Sequence, residues 1–495
     1  MKTATTLVGT GVAVLFLAFG GWAAKNPDAY SVKAPLFPRP PKIDGTLENP
    51  LWEKGAVLDS FTQYEPQEGG EPSEKTVAYI GHDAKNLYIA VRCYDSNPEA
   101  VRACLTPRDQ VYGDDGITVY LDTFNDKKRA FVFQVNPCGV QTDGIYTETR
   151  RHGRGRMSGF FGFDRNFDTF FLTSARIDET GFTVEMAIPF KSLRFPYTQP
   201  QVWGLQIMRN IRRKNEEIYW RPRSRDVNGL LIQSGTLVID GNIEKGKNFE
   251  LMPVLTGLKK LDERFDPDPG INLKYGITSD LTADITVNPD FSQVEADMPQ
   301  IDVNQRYALY YPEKRPFFLE GKDFFDTPFE LIYTRTIVNP LWGTKLTGKI
   351  GKTTVGFLSA YDETPTGIDI PAEEEIDLEN SRSLVNVFRL KQDLYSESHI
   401  GFIFTDKEVG RSWNSLTTHF NRVAGVDGHF KIGTTYRLSF QVVGSQSRVG
   451  KDKTGIVPAL NFNFSRRARH LSFSIDYNHI PEDFEAALGF FRRKD

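Results

Sequence analysis

The chain has 495 residues, enough for two or three domains rather than one. Its 60 basic and 64 acidic residues nearly cancel, which removes the electrostatic case for a nucleic-acid partner and leaves little for an anionic surface. Aromatic residues make up 13%, with 37 Phe and 19 Tyr, a composition that suits strands, sugar-stacking platforms and membrane girdles.

Lys2 precedes an apolar run, LVGTGVAVLFLAFGGW (7–22), then Ala23, Ala24 and polar KNPD. That order reads as a secretory signal peptide, residues 1–24, cleaved near Ala23 or Ala24. The alternative is an uncleaved anchor, but the run is short for a spanning helix. No Cys stands at the cleavage point, which argues against a lipoprotein. No second long apolar run follows, so helical spans are not expected; barrel strands remain open because they carry little net hydropathy. Residues 26–42, NPDAYSVKAPLFPRPPK, are Pro-rich and read as a leader segment.

From IDGTLENPLWEKGAVLDSF (43–61) to residue 240, short alternating runs recur between Gly, Asp, Asn and Pro. They lie at 76–83, 86–95, 115–124, 130–139, 144–149, 170–178, 181–190, 202–211 and 235–240, a spacing that predicts an antiparallel β-sandwich, jelly-roll-like in its strand count. PFKSL (189–193) is the one convincing helical piece, with Pro at an N1-like position. The Gly- and Arg-rich stretch 150–168 has no period and reads as a long loop, either facing a ligand or partner or merely solvated.

Near residue 246 the pattern changes. Long alternating strands with apolar and aromatic outward faces are expected at 247–257, 270–279, 281–289, 344–351, 353–362, 382–392, 397–407, 416–431, 434–447, 455–466 and 469–479. Turns such as ITSD (277–280) and GKTT (351–354) join neighbours, so residues 247–495 read as a transmembrane-type antiparallel β-barrel. Residues 290–340 break the alternation and read as a folded insert inside or beneath it. A count near eleven is odd, and the end GFFRRKD lacks a terminal aromatic, so the barrel is expected to be partial or truncated. The fold class is thus all-β, a sandwich followed by a barrel-like region.

Four segments, IDGTLENPLWEKG, VAYIGHDAKNLYIAVRCYD, GDDGITVYLDTFNDKKRAFVFQVNPCG and GFTVEMAIPFKSLRF, make residues 43–240 resemble carbohydrate-binding module family 9. ADITVNPDFSQVEADMPQIDVNQRYALYYPEKRPFFLEGKDFF (283–325) resembles an uncharacterised C-terminal domain that follows such modules in bacterial envelope proteins. The resemblance implies a sandwich with a polysaccharide or oligosaccharide partner, secretion, and an outer membrane in which the second region sits. The sandwich would then face the periplasm or the cell surface.

Sugar binding needs aromatic faces for C–H surfaces and a few polar groups for hydroxyls. Trp220, flanked by Arg221, Arg223 and Arg225, is the platform candidate, with Arg223, Tyr146, Phe160 and Phe161 beside it. Trp52 and Trp203 read as core residues. Family 9 modules clamp a terminal sugar between two tryptophans, and no second one is assigned here. Asp114, Asp115 and Asp122, with Asn125 and Asp126, offer oxygen ligands for a structural calcium, or else ordinary turn chemistry.

Glu185, Asp178 and Asp168 are available acids for glycoside hydrolysis, but no spacing selects a pair, and Glu185 alternates as a solvated strand face would. No catalytic residue is assigned. Cys93, Cys104 and Cys138 lack metal or redox spacing; one pair can close in an oxidising compartment, or the three are small buried hydrophobes. The charged residues of YYPEKRPFFLEGKDFF, including Glu313, Arg315 and Glu320, read as a plug contact or as a salt-bridged turn seating the insert.

Overall fold

The computed structural model describes residues 30–148, 163–165, 167–196, 198–241, 243–244, 249–258, 266–278, 280–289, 310–311, 313–364, 381–395, 397–410, 419–449 and 452–491. The first unit contains β1 (Ser31–Ala34), β2 (Ala56–Leu58), β3 (Thr62–Glu65), β4 (Thr76–His82), β5 (Asn86–Tyr94), β6 (Gly116–Asp122) and β7 (Arg129–Val135). It continues with β8 (Gln141–Thr147), β9 (Leu172–Asp178), β10 (Gly181–Pro189), β11 (Gln201–Ile211), β12 (Glu216–Tyr219) and β13 (Gly235–Ile239). One sheet runs β1-β13-β11-β6-β7-β8, with β12 on β11 and β3 on β12; the second runs β2-β4-β5-β10-β9.

Strand alternation sends Ile117, Val119 and Leu121 of β6 and Phe131, Phe133 and Val135 of β7 to one side, where they meet Ile89, Val91, Val184 and Met186 of the second sheet. This is the sandwich core expected from the sequence. The segment 189–193 is a single 3-10 turn, Phe190–Ser192. The leader segment is partly structural, because β1 pairs in parallel with β13.

β10 is buried along its whole length, so its alternation does not separate core from solvent. Glu185, expected on a solvated face, is 0% exposed. Its Oε2 accepts from the backbone N–H of Asp44 and Gly45, both at 2.7 Å, and its Oε1 from Leu47 N–H and Trp52 Nε1. The IDGTLENPLW loop is therefore folded around one carboxylate, and Trp52 plugs the core beside Phe37 as expected.

The second unit contains β14 (Phe249–Leu258), β15 (Asp266–Gly276), β16 (Leu281–Val287), β17 (Pro340–Ile350), β18 (Thr353–Asp362) and β19 (Arg382–Tyr395). β20 (Ser398–Gly410), β21 (His419–Ile432), β22 (Tyr436–Val449), β23 (Asp452–Lys453), β24 (Val457–Arg466) and β25 (Phe473–His479) complete it. All the long strands pair antiparallel with their sequence neighbours from β14 to β25. The expected barrel is not closed: among the described residues β14 and β25 do not pair with each other, so the wall is an open sheet with two edges.

The amphipathicity of this wall is inverted. Ile285, Ile400, Phe402, Val426, Val442, Phe462, Ile475 and Tyr477 are exposed. Thr286, Lys345, Thr347, Arg389, Asn421, Asp427 and Gln441 are buried on the opposite face. Arg389 and Asp427 pair there as a fork, with Nη2 to Oδ2 at 2.9 Å.

The insert and the tail cover that face, which also carries an apolar strip. Phe318, Phe324 and Phe325 pack with Leu358, Val385 and Val387, while Phe329 and Leu331 pack with Ile403, Val423 and Phe484. Glu313 clasps Arg315 at 2.7 Å, and Arg315 donates to the carbonyls of Thr334 and Ile337, which is the seating turn of the sequence reading. Glu320 accepts from Lys274 of the wall at 2.8 Å and from Arg194 of the sandwich at 3.0 Å, so the insert joins the two units.

The sandwich sits on one rim of the wall. That rim is where β15 passes to β16, β17 to β18, β19 to β20 and β21 to β22, each by a short step in sequence, whereas β16 and β18 leave from the other end. Lys349 bridges Asp126 of the sandwich and Asp393 of the wall, and Lys128 also reaches Asp393.

Candidate functional site

The outer face of the first sheet is also apolar. Tyr120 alternates with Val119 and Leu121 and so points away from the core; with Ala130, Val132, Met208, Tyr219 and Leu230 it forms a second cluster, against which Tyr64 and Tyr146 pack. Arg223 lies over this face, its guanidinium 4.3 Å from the Tyr64 ring centre and 4.7 Å from that of Tyr219. Its Nη1 donates to Tyr219 Oη at 2.8 Å.

Of these, Tyr64, Tyr146, Arg223 and Leu230 line one wall of a cleft of about 840 Å³ between the sandwich and the short-turn rim. The facing wall comes from Ser439 of β22, Asn463 and Ser465 of β24, and Ser474 and Asp476 of β25. Asn463 Nδ2 donates to Asp476 Oδ1 at 2.7 Å and Ser474 Oγ donates to Oδ2 at 2.8 Å, which fixes that carboxylate.

Glu148 closes the floor. Its Oε1 accepts from Leu230 and Leu231 N–H, and its Oε2 accepts from Arg437 at 3.0 Å. Arg437 also donates to Glu397 at 3.1 Å, and Lys431 donates to the Asn228 carbonyl at 2.7 Å. Burial, and then the Glu148 charge, pushes the Tyr146 hydroxyl well above its ordinary pKa, so it stays neutral. Ring surface on one side and hydroxyl, amide, carboxylate and guanidinium groups on the other complement a polyhydroxylated ring, and the volume suits a small oligosaccharide.

Of the expected ligand residues, the cleft brings together Tyr146 and Arg223. Trp220 is not at its surface. The ring is 5% exposed, lies in the sandwich core edge-on to Tyr30, and fills the space left by Gly235, where a Cβ would come within 2.4 Å of it. The physical reason is alternation: Tyr219 takes the outer face, so its neighbour Trp220 takes the inner one. Arg221 beside it turns back to the carbonyls of Ile232 and Ser234 rather than to a ligand. Phe160 and Phe161, with most of the Gly/Arg-rich loop, lie outside the described residues. Trp203 is in the core, as expected.

The three aspartates offered for calcium do not converge. Asp114 and Asp115 precede β6 and Asp122 ends it, about 20 Å away along the strand. Asp122 accepts from the N–H of Asp126 and Lys127, which is turn chemistry, whereas Asp115 accepts from the N–H of Arg102 and Arg212 and so ties distant segments together. Among the described residues no group of three or more His, Cys, Asp or Glu is arranged to hold a metal ion. Nor do the candidate acids face each other: Glu185 is sealed under its loop, Asp178 is forked by Arg92, and Asp168 is held by Arg108. Tyr64, Glu148, Asn463 and Asp476 were not legible as site residues, because they meet only when the two units dock.

Residues 43–222 match the family described as carbohydrate family 9 binding domain-like. Residues 250–349 match a domain of unknown function, DUF5916. Among solved structures, the chain is similar to a carbohydrate binding module family 9 from Caldicellulosiruptor kristjanssonii in complex with cellotriose. Identity there is 15%, covering 43% of this chain and 94% of that one, with a TM-score of 0.29. A module from the same organism in complex with glucose gives 15% identity, 43% and 96% coverage, and a TM-score of 0.30. No curated protein matches the chain.

Proposed function

We propose that this chain is a non-catalytic, carbohydrate-binding protein of the cell envelope whose long-stranded wall sits in an outer membrane. The observation that carries the reading is a family 9-like domain whose outer aromatic face, with Tyr64, Tyr146 and Arg223, lines a cleft of oligosaccharide size. A binding rather than a hydrolytic role is supported by the state of the cleft carboxylates. Glu65 is held by Arg225, Glu148 by Arg437 and two backbone N–H groups, and Asp476 by Asn463 and Ser474.

The membrane reading is supported by the wall's row of exposed apolar side chains on one face and its buried charges, such as Lys345, Arg389, Lys407 and Asp427, on the other. In outer-membrane barrels the short turns are periplasmic. The sandwich packs on the short-turn rim, so in this reading the family 9-like domain and its cleft lie in the periplasm.

Calorimetric titration of the full chain in detergent against a panel of neutral and acidic oligosaccharides tests the binding. Tyr146→Ala and Arg223→Ala are each expected to weaken the affinity about tenfold, as loss of a stacking or charged contact does. A folded protein that binds no glycan would overturn the reading. The sidedness is tested by a membrane-impermeant lysine reagent on intact cells, which should leave the sandwich unlabelled until the outer membrane is permeabilised; labelling without permeabilisation would reverse it.

The second reading treats the sandwich as a scaffold for transport or assembly by the wall. It is favoured by the ion pairs that fasten the sandwich to the rim and to the insert. Its signature is a folded, membrane-inserted protein whose unfolding temperature no sugar raises.

A further inference from the structure

Two of the three thiols stand together in a way that sequence spacing does not reveal. Cys104 lies in the connection from β5 to β6 and Cys138 in the turn from β7 to β8; both are exposed, whereas Cys93 of β5 is buried. The side chain of Asn136, 0% exposed, joins their main chains. Its Nδ2 donates to the Cys104 carbonyl at 2.8 Å, and its Oδ1 accepts from the Cys138 N–H at 3.1 Å.

Asp114 Oδ2 tightens the same cluster, accepting from Cys104 N–H at 3.0 Å and from Asn136 Nδ2 at 2.9 Å. An amide spans about 2.3 Å from N to O. The Cys104 carbonyl oxygen and the Cys138 nitrogen are therefore held within about 8 Å, which puts the two Cα atoms within about 12 Å at full stretch. The bends at each hydrogen bond draw them nearer the roughly 4.4–6.8 Å between Cα atoms that a disulfide requires. Burial raises the pKa of the Cys138 thiol, and Asp114 and then Cys104 add to it.

We propose that Cys104 and Cys138 close a disulfide in the exported protein, while Cys93 stays a thiol. The oxidant is a disulfide-bearing thiol oxidoreductase or oxidised glutathione. Each cysteine loses a proton and an electron, two S–H bonds break and one S–S bond forms, and the oxidant's S–S bond is reduced to two thiols. The product closes the loop 104–138 and pins the β5–β6 connection, with Arg108, Asp114 and Asp115, to the β7–β8 turn. That connection is otherwise held there through Asn136 and by side-chain contacts such as Arg108 to Asp143 at 2.6 Å. Cys93 is excluded from pairing because it faces the core between the two sheets.

The test uses the full chain purified in detergent, treated with oxidised glutathione, then denatured and alkylated with a maleimide. One label per chain is expected before reduction and three after it, and peptide mapping without reductant should recover the 104- and 138-containing peptides linked together. Reduction should lower the midpoint of thermal unfolding by several degrees, a shift absent from the Cys104→Ser/Cys138→Ser variant. Should that double variant not fold, Cys104→Ser alone serves, with two labels before reduction. Three labels in the oxidised, unreduced wild type, or a linkage that contains Cys93, would overturn the proposal.

Discussion

Two buried carboxylates of the sandwich show how much a residue's role depends on what covers it. Glu185 spends all its acceptor capacity on the loop that precedes Trp52, and that loop lets a charged residue sit at a central strand. Glu74 does comparable work at the edge. Burial alone would raise its pKa, but donors from Lys214, Ser96 and Arg213 outweigh burial and hold it at about 2 against an ordinary 4.5. Its folded value lies below its unfolded one, so the folded chain binds fewer protons in that interval. The stabilisation is full above pH 4.5 and is lost as pH falls from there toward 2. The urea midpoint of unfolding should therefore drop across that window, and Glu74→Gln should flatten the drop. An equally steep limb in the variant would show that other carboxylates control it.

At the scale of the element, the wall strands put apolar side chains on the outer face, whereas the inner face mixes polar and charged residues with an apolar strip that seats the insert. β20 illustrates it, with Ile400 and Phe402 exposed while Thr405 and Lys407 are buried. In water such a face would be a large unpartnered apolar patch; in a bilayer it is the matched surface. Phe402→Lys should therefore cost about 2–4 kcal/mol of insertion stability if the position lies near the bilayer midplane. The measurement is the folded fraction in lipid, read by heat-modifiable mobility, with Phe402→Leu as the neutral control. Equal folding of the lysine variant would contradict a lipid-facing strand. Inside, Arg389 and Asp427 satisfy each other, which is what keeps two charges on the inward face of a wall.

Across the whole molecule, the two units are joined by charge as well as by chain. Arg437 of β22 links Glu148 of the sandwich to Glu397 of the wall, Lys349 links Asp126 to Asp393, and Glu320 of the insert links Arg194 to Lys274. The Phe324 ring of the insert lies under two sandwich guanidiniums, those of Arg129 and Arg194. Paired charges of this kind hold a defined docking geometry, because a shift of either unit would strand them. The cleft exists only through this docking, since one of its walls belongs to the sandwich and the other to the sheet.

The strand content was legible in the sequence because alternation is a local property. Eleven long strands were expected after residue 246, and each has a counterpart, from β14 to β25 apart from the two-residue β23. The sandwich, its Trp52 plug and the core position of Trp203 were legible for the same reason. β1 escaped notice because its single parallel partner, β13, lies some two hundred residues away. Alternation gives the face a residue takes but not what lies over that face. Trp220 therefore went inward while Tyr146 and Arg223 came to the cleft, and Glu185 was buried by a loop that no period announces. Whether the wall closes, which rim receives the sandwich, and which side chains meet across the cleft were decided by pairings between distant residues, to which local pattern is blind.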